Sequence, residues 1–292
     1  MTEAPRKRRR SWRRFALLFL LLTGAAGAFA IANRDVILPF LPEQDVIRFE
    51  RWQRVTYASL GWTWPGTPDL NALDQRLADA GVKVGAPILV RIFKREFELE
   101  IWLKKGDRFE RFATYPICKW SGSLGPKVRQ GDRQAPEGFY TVGGKALNPN
   151  SRWYRSFNLG FPNAHDRALR RTGSFIMVHG GCSSIGCYAM TNGQMSEIWK
   201  LVKGALDGGQ QRFQTQVFPF RLTDANLASR AGTANSDFWR SLKPGHDLFE
   251  QTGVPPRVSV CNKRYAFEAG NPGADGSAEL ETRCPARTAK VN

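Results

Sequence analysis

The chain has 292 residues, of which 42% are hydrophobic and 24% are charged, and its formal net charge is +17. This length and apolar content can form a substantial hydrophobic core without depending on many disulfides, as expected of one mid-sized domain with appendages. The basic residues beyond Arg14 are scattered and follow no recognition motif, so we expect no nucleic-acid partner. The excess charge has two explanations that stay open, solubility and attraction to an anionic polymer.

A basic segment followed by an apolar one opens the chain. Residues 1–14 contain seven Lys or Arg and one Glu, and residues 15–32 carry no charge. This order is typical of an export signal, and about 18 apolar residues are also long enough to remain as a membrane span. Positive charge before the span favours a cytoplasmic N-terminus. We therefore expect a periplasmic or other extracytoplasmic protein, anchored to the inner membrane by residues 15–32 or released after signal cleavage.

Residues 1–33 thus form the predicted signal or anchor, and residues 34–85 are predicted to be a connector that ends in a short helix. The connector mixes aromatic residues with Pro and Gly. Its aromatic residues include Trp52, Tyr57, Trp62 and Trp64. Apolar residues at helical spacing predict a helix over residues 69–80, capped by Asp69 and ended by Gly81.

Residues 86–222 are predicted to form a mostly β domain with one or two helices. One strand alternates apolar and polar residues, as a half-buried strand does. Predicted strands cover residues 88–94, 97–103, 108–117, 138–142, 174–178 and 214–222. Helical spacing predicts a helix over residues 192–206, and a mobile loop rich in Gly, Lys and Arg is expected at 121–132. Residues 223–292 are predicted to be a C-terminal extension with a strand near 257–261 and a flexible tail.

The segment MVHGGCSSIGCYAM, residues 177–190, carries the clearest chemical signal. His179 stands eight positions before Cys187, with glycines beside both. A thiol attacks as its thiolate and therefore needs a base or a positive dipole nearby, which His179 supplies. Gly180 and Gly186 allow close approach to a substrate carbonyl, and amides around Gly186 and Cys187 are candidates for an oxyanion hole. The pattern favours cysteine-based acyl transfer.

Two structural interpretations of the same residues compete with catalysis. His179, Cys182 and Cys187 have spacings loosely similar to a zinc site, but structural zinc needs four ligands, and only His165, His246 and distant cysteines remain. We therefore expect no metal. The second interpretation is a Cys182–Cys187 disulfide or a pair of buried thiols.

Five cysteines leave at least one unpaired in an oxidising compartment, as a nucleophile must be. Cys261 and Cys284 lie in the loop-rich C-terminal segment and are predicted to form a disulfide. Cys182 is expected either to pair with Cys118 or to remain reduced beside the site, so the connectivity stays open.

Three ordered blocks resemble one protein family. The element Ser184-Ile185-Gly186-Cys187 after a histidine is similar to the signature of YkuD-type L,D-transpeptidases, and its Cys-Tyr-Ala-Met ending resembles the YafK-like branch. Residues 131–140, GDRQAPEGFY, resemble the second hallmark of the family, with Ala135 where Thr is more usual. Residues 157–163 and 171–173 also resemble this branch. The resemblance covers residues 87–222.

The resemblance implies a YkuD-like β-sandwich catalytic domain behind an N-terminal membrane segment. It also implies that Cys187 is the nucleophile and His179 the proton donor and acceptor. Gly186, Gly180 and Ser184 would provide oxyanion and backbone support. The expected partners are peptidoglycan stem peptides and the inner membrane, with no cofactor; the oligomeric state is open.

One departure from the family pattern leaves the reaction outcome open. Typical L,D-transpeptidases carry an arginine two positions after the cysteine, where this chain has Ala189. The same scaffold could pass its acyl group to water and act as a hydrolase that cleaves peptidoglycan-linked peptides or proteins. A non-catalytic wall-binding protein is the third interpretation, and the presence of both His179 and Cys187 disfavours it.

Overall fold

The computed structural model describes residues 12, 14–19 and 41–284. The chain divides into two compact units, residues 1–50 and 51–292. In the first unit residues 14–19 are helical, and the rest of the predicted apolar segment, residues 20–32, lies outside the described residues. Within the described part of the chain, no helix is both long and apolar enough to cross a membrane.

The second unit contains the β structure. Its strands, in chain order, are β1 (Ile88–Phe93), β2 (Glu98–Lys105), β3 (Arg108–Pro116), β4 (Lys119–Trp120), β5 (Gly138–Gly143), β6 (Leu147–Asn148), β7 (Ser156–Asn158), β8 (Met177–His179), β9 (Tyr188–Ala189), β10 (Arg212–Phe218), β11 (Arg257–Cys261), β12 (Arg264–Glu268) and β13 (Glu281–Thr282). The longer strands confirm the predicted ones to within a few residues, because each has apolar residues that are buried, as in β1, whose six residues are all buried.

These strands form two five-stranded sheets and one three-stranded sheet. The first sheet has the order β3-β2-β1-β10-β5, the second β4-β9-β8-β7-β6 and the third β12-β11-β13. Pairing is antiparallel except for β1 with β10, β8 with β9 and β11 with β13. Phe157 of the second sheet packs edge-to-face on Phe213 of the first, with ring centroids 5.6 Å apart. This contact buries one face of each sheet against the other.

Residues 86–222 contain two α-helices, as expected, and the described residues beyond position 40 contain four more outside that range. The helices are α1 (Glu43–Ser59), α2 (Leu73–Asp79), α3 (Ala164–Ala168), α4 (Asn192–Asp207), α5 (Asp224–Ala228) and α6 (Ser236–Thr252). α1 lies mostly in the segment that the sequence predicts to be a connector. The sequence does not predict this helix, because scattered charges and aromatic residues obscure its helical period. α6 contains Pro244 and Gly245, two residues that normally interrupt a helix.

The two predicted helices are confirmed. Asp69 accepts a hydrogen bond from the Asn71 backbone N–H and caps a 3₁₀ turn that leads into α2. Thr191 and Gln194 form a reciprocal capping box at the start of α4, whose apolar face is buried. Both helices are therefore specified by local caps and a 3.6-residue apolar period.

The C-terminal segment packs into the same core as the first sheet. Phe93, Phe139 and Phe218 of that sheet share one buried cluster with Trp239 of α6 and Tyr265 of β12. Phe139 meets Tyr265 at 5.6 Å between ring centroids. Aromatic contacts of this kind stabilise beyond the area they bury, so α6 and the third sheet stabilise the first sheet.

The loop expected to be mobile is held by a buried lysine. The Lys94 ammonium is fully buried and donates to the carbonyls of Ser123, Gly125 and Ala135 at 2.8–3.1 Å. Its counter-ion is the buried Glu137 carboxylate at 2.8 Å. Because each ammonium hydrogen finds an acceptor, Lys94 fixes the loop against the first sheet.

Four of the five cysteines form two disulfides. Cys261 pairs with Cys284, as predicted, with a Cα–Cα distance of 4.6 Å. Cys118 pairs with Cys182, with a Cα–Cα distance of 5.3 Å, and Cys187 is free. The alternative Cys182–Cys187 disulfide is therefore wrong, since Cys182 is already bonded to Cys118, which lies between β3 and β4.

Candidate active site

Strands β8 and β9 bring His179 and Cys187 together. The two strands are parallel, with Val178 opposite Tyr188 and His179 opposite Ala189. Because side chains alternate along a strand, Cys187, one position before Tyr188, shares a face with His179. Strand spacing and rise put their Cα atoms roughly 8 Å apart. β8 starts at Met177, later than the strand predicted over 174–178.

His179 is fixed as one tautomer. Its side chain is 3% exposed, and Nδ1 lies 2.5 Å from the Gly180 carbonyl oxygen. A carbonyl only accepts, so Nδ1 carries the hydrogen and Nε2 is the basic nitrogen. The Trp153 ring stacks on the imidazole with centroids 6.2 Å apart. Burial lowers the His179 pKa below its usual value, and the Gly180 hydrogen bond opposes that shift.

Cys187 sits half-buried against the start of β8. Its Sγ accepts from the Met177 N–H at 3.4 Å and donates to the Phe175 carbonyl at 3.7 Å. Burial raises the pKa of the Cys187 thiol, while the Met177 N–H and the positive charge of Lys127 lower it. Desolvation is the larger effect, so the thiol is neutral in this resting geometry and must lose its proton during attack.

Ser184 braces the loop that carries Cys187. Its hydroxyl donates to the Cys187 carbonyl at 2.7 Å and accepts from the Gly186 N–H at 3.2 Å. It also lies 2.8 Å from the hydroxyl of Ser121. Gly186 has φ +141°, a conformation that side chains rarely adopt, so the turn before the cysteine depends on glycine. Because Ser184 already accepts the Gly186 N–H, the predicted oxyanion role of that amide stays a prediction.

Gly180 supports the imidazole through its backbone. Its carbonyl accepts from His179, and its N–H donates to the Tyr154 carbonyl at 3.1 Å. A Cβ on Gly180 would lie 2.7 Å from Asn192 Oδ1, and one on Gly181 would lie 2.9 Å from the Trp153 ring. Side chains at either position would displace the residues that hold His179.

A buried cation lies near the thiol. Lys127 is 4% exposed; its ammonium contacts the Asp132 carboxylate and donates to the Arg129 carbonyl at 3.0 Å. The segment that contains Lys127 is joined to the segment that precedes β8 by a hydrogen bond. The Thr172 N–H donates to the Val128 carbonyl at 3.0 Å. Sequence reasoning missed Lys127, because nothing in the pattern connects residue 127 with residue 187.

Apolar side chains stand in solvent around the nucleophile. Phe175 is 73% exposed and Ile185 is 77% exposed. Phe175 also has φ +56°, an unfavourable conformation for an aromatic residue, while its carbonyl holds the Cys187 thiol. The sequence placed Phe175 inside a buried strand, and only the left-handed backbone turns it outward.

The other two histidines lie elsewhere. His165 stacks on Tyr265 with centroids 4.1 Å apart, and burial lowers its pKa to about 4. His246 packs on Phe218 and bonds to Asp247 at 2.9 Å. Within residues 12, 14–19 and 41–284, no group of three or more His, Cys, Asp and Glu side chains is arranged to hold a metal ion.

Ala189, the residue that departs from the family pattern, is fully buried opposite His179. The small side chain of Ala189 leaves the sheet face that carries the His179 imidazole without the arginine that the family pattern has at this position.

These observations define a β-rich protein with a free cysteine and a buried histidine on one glycine-rich loop. Residues 90–233 match the YkuD family, described as the L,D-transpeptidase catalytic domain. A curated Escherichia coli (strain K12) protein named "Putative L,D-transpeptidase YafK" is 51% identical over 182 residues, which cover 62% of this chain and 74% of that protein. The chain therefore belongs to the YkuD L,D-transpeptidase family, on its YafK-like branch.

Solved structures with a similar arrangement are more distant. The helical cell shape determining protein Pgp2 of Campylobacter jejuni is 20% identical, with a TM-score of 0.38 over 60% of this chain and 65% of that chain. Bd1075 of Bdellovibrio bacteriovorus is 15% identical, with a TM-score of 0.33 over 57% of each chain.

Proposed function

We propose that this protein is a cysteine acyltransferase that acts on peptidoglycan stem peptides through a thioester on Cys187. The observation that carries the proposal is the β8–β9 register, which sets a free thiol and a buried imidazole with a basic Nε2 on one face. Membership of the L,D-transpeptidase family supports peptidoglycan as the substrate class.

The chemistry follows from the two side chains. The thiol hydrogen turns from the Phe175 carbonyl to His179 Nε2, and the sulfur attacks an amide carbonyl carbon of the stem peptide. The tetrahedral intermediate collapses, the C–N bond breaks, and the imidazolium returns the proton to the departing amine. An amine or a water molecule then attacks the thioester, His179 takes its proton, and the thiol is restored.

A second candidate function is hydrolysis, with water as the acceptor. It is favoured by Ala189, which is fully buried where the family pattern has arginine. Without that cation, the site has fewer groups to hold a second stem peptide through its carboxylates. The enzyme would then cleave peptidoglycan-linked peptides or proteins instead of joining them.

We place the reaction outside the cytoplasm. Disulfides persist in oxidising compartments, and Cys118–Cys182 and Cys261–Cys284 are both formed. The basic and apolar segment over residues 1–32 would deliver the chain there as an anchor or a cleaved signal.

Product mapping on purified sacculi tests the proposal. The full chain and its Cys187→Ala variant are incubated with sacculi, and the products are identified by mass spectrometry. New cross-links between stem peptides, absent with the variant, establish transpeptidation. Cys187-dependent release of peptides or proteins without new links establishes hydrolysis. Identical products from the two proteins would overturn both functions and favour a wall-binding protein.

A further inference from the structure

A cavity of about 550 Å³ lies beside the catalytic loop, and the proposed chemistry does not use it. Gly181 and Cys182 form one wall, the end of α1 and residues 61–64 another, and the start of α4 a third. Its volume lies within the usual range for small-molecule sites. It is the lining that indicates a class of ligand.

The cavity is uncharged. None of the described residues that line it is Asp, Glu, Lys, Arg or His, although the chain carries a net charge of +17. Its polar groups are neutral hydroxyls and amides that both donate and accept hydrogen bonds. They belong to Ser59, Thr63, Thr67, Thr191, Asn192 and Gln194. Ser59, Thr67, Thr191 and Gln194 also bond within the chain, and Thr63 and Asn192 complete the polar lining. An anionic peptide or phosphate polymer would find no counter-ion here, whereas a neutral, hydroxyl-rich ligand would find neutral donors and acceptors.

Two tryptophans, Trp62 and Trp64, contribute to the apolar part of the lining together with aliphatic residues. Tyr57 packs edge-on against Trp62 at 5.4 Å and against Trp64 at 4.9 Å between ring centroids. The Arg54 guanidinium covers one face of Trp64 at 4.4 Å. Trp62 is 58% exposed, so a large apolar ring stands at the edge of the cavity. Sugar rings present C–H bonds on their faces and hydroxyls on their edges, which suits a tryptophan beside neutral polar groups.

The cavity is continuous with the residues that hold the imidazole. Gly181 and Cys182 follow His179 by two and three positions, and Gly181 packs against Trp153, which stacks on His179. Asn192 lines the cavity and also lies against Gly180. A ligand bound there is therefore next to the catalytic loop.

We propose that this cavity binds N-acetylated sugar residues of a glycan strand and thereby places the attached stem peptide at Cys187. The proposal rests on the proposed function, because it assigns the glycan and the peptide of one substrate to two neighbouring sites. It also gives the lining residues between Val55 and Thr67, outside the matched family region, a role in substrate selection.

Binding is tested without catalysis. The purified full chain carrying Cys187→Ala is titrated calorimetrically with a β-1,4-linked tetrasaccharide of N-acetylglucosamine, which contains no peptide. We expect saturable binding that Trp62→Ala weakens at least tenfold. Trp52→Ala is the matched control, since Trp52 is 59% exposed and does not line the cavity. No binding, or equal loss in the two tryptophan variants, overturns the proposal.

A kinetic comparison separates this proposal from the proposed function. In the Cys187 enzyme, Trp62→Ala should raise KM at least fivefold for stem peptides still linked to glycan. It should leave KM for the free stem peptide and kcat for both substrates unchanged. Equal KM changes for both substrates would overturn the sugar site while leaving the acyl transfer intact. Absence of Cys187-dependent turnover would refute the proposed function, and the calorimetric result would still decide the sugar site.

Discussion

At the residue scale, burial keeps the thiol of Cys187 and the imidazole of His179 in their neutral forms. The pKa of the thiol is raised and that of the imidazole is lowered, each chiefly by desolvation. The resting pair is therefore not a thiolate–imidazolium ion pair. The nucleophile forms when the proton moves during attack, which makes the basic Nε2 of His179 indispensable.

Alkylation of Cys187 by iodoacetamide should depend on pH accordingly. We expect the midpoint of the rate profile to lie above 9.0, the ordinary value for the thiol, because the thiolate is desolvated. Lys127→Met should move the midpoint higher, since it removes a positive charge. The other four cysteines are in disulfides, so Cys187→Ala gives the background. A midpoint below 8 would show that the thiol is already activated at rest.

Replacing His179 by Gln should lower kcat by about 100- to 10,000-fold with little change in fold, because the general base is lost. In the unmodified enzyme the rate should fall as pH drops through the His179 pKa, which lies below 6.5, because only the neutral ring accepts a proton. His246→Gln is the matched control, a buried histidine outside the site. A rate for His179→Gln equal to that of His246→Gln would exclude His179 as the base.

At the element scale, the site is carried by short strands. β8 and β9 have three and two residues, and they pair with each other and with the equally short β7 and β4. The Cys118–Cys182 bridge ties the segment between β3 and β4 to the loop between His179 and Cys187. The loop geometry therefore depends on contacts far apart in sequence.

Removing that bridge should affect both stability and turnover. The loop it closes spans 64 residues, for which chain entropy gives about 4 kcal/mol, so Cys118→Ala/Cys182→Ala should unfold at lower urea concentration. Turnover at saturating substrate should also fall, because the catalytic loop is released. Cys261→Ala/Cys284→Ala is the control, with about 3 kcal/mol lost and kcat unchanged. Equal kcat in the two variants would show that the first bridge does not position the site.

The Lys94 tether gives a second prediction at this scale. Lys94→Met leaves the Glu137 carboxylate buried without its cation and should cost about 3–5 kcal/mol in the free energy of unfolding. The double variant Lys94→Met/Glu137→Gln should recover part of that loss, because the uncompensated charge is gone. Denaturant melts of the three proteins measure the coupling. A double variant less stable than Lys94→Met would contradict the ion-pair account.

Sequence patterns predicted those elements whose signals are local. The long strands and α4 follow from unbroken or periodic apolar residues, and Asp69 and Thr191 act as caps. α6 was missed because Pro244 lies inside it, and α1 because its period is obscured. The chemical roles of His179 and Cys187 could be predicted from the sequence. Their position on a common face could not, because it follows from a register between strands of two and three residues. Burial, which sets the direction of both pKa shifts, depends on tertiary packing that no local pattern contains.

At the scale of the whole molecule, α6 and the third sheet stabilise the first sheet through one aromatic core. His165 belongs to this core: it is 4% exposed, stacks on Tyr265 and lies 6.0 Å from the Phe238 ring. A charged imidazole is unfavourable in this core, so His165 is neutral in the folded protein.

This packing makes stability depend on pH. The His165 pKa is about 4 in the folded protein and 6.5 in the unfolded chain. The contribution of this residue to the free energy of unfolding is therefore complete above pH 6.5 and is lost as pH falls through about 4. Between pH 7 and 5 the loss from this residue should be about 2 kcal/mol. In His165→Phe the pH dependence measured by urea unfolding should be smaller by that amount. The same pH dependence in both proteins would contradict this assignment.

The central claim is that a stem peptide is bonded to Cys187 during turnover, and an acyl-enzyme measurement tests it most directly. The full chain is mixed with soluble stem-peptide fragments of peptidoglycan, quenched in acid within seconds, and analysed by intact-mass spectrometry and peptide mapping. We predict an adduct with the mass of the acyl peptide on the fragment that contains Cys187, removed by hydroxylamine and absent from Cys187→Ala. Product formation with no adduct, or with an adduct on another residue, would contradict the thioester mechanism.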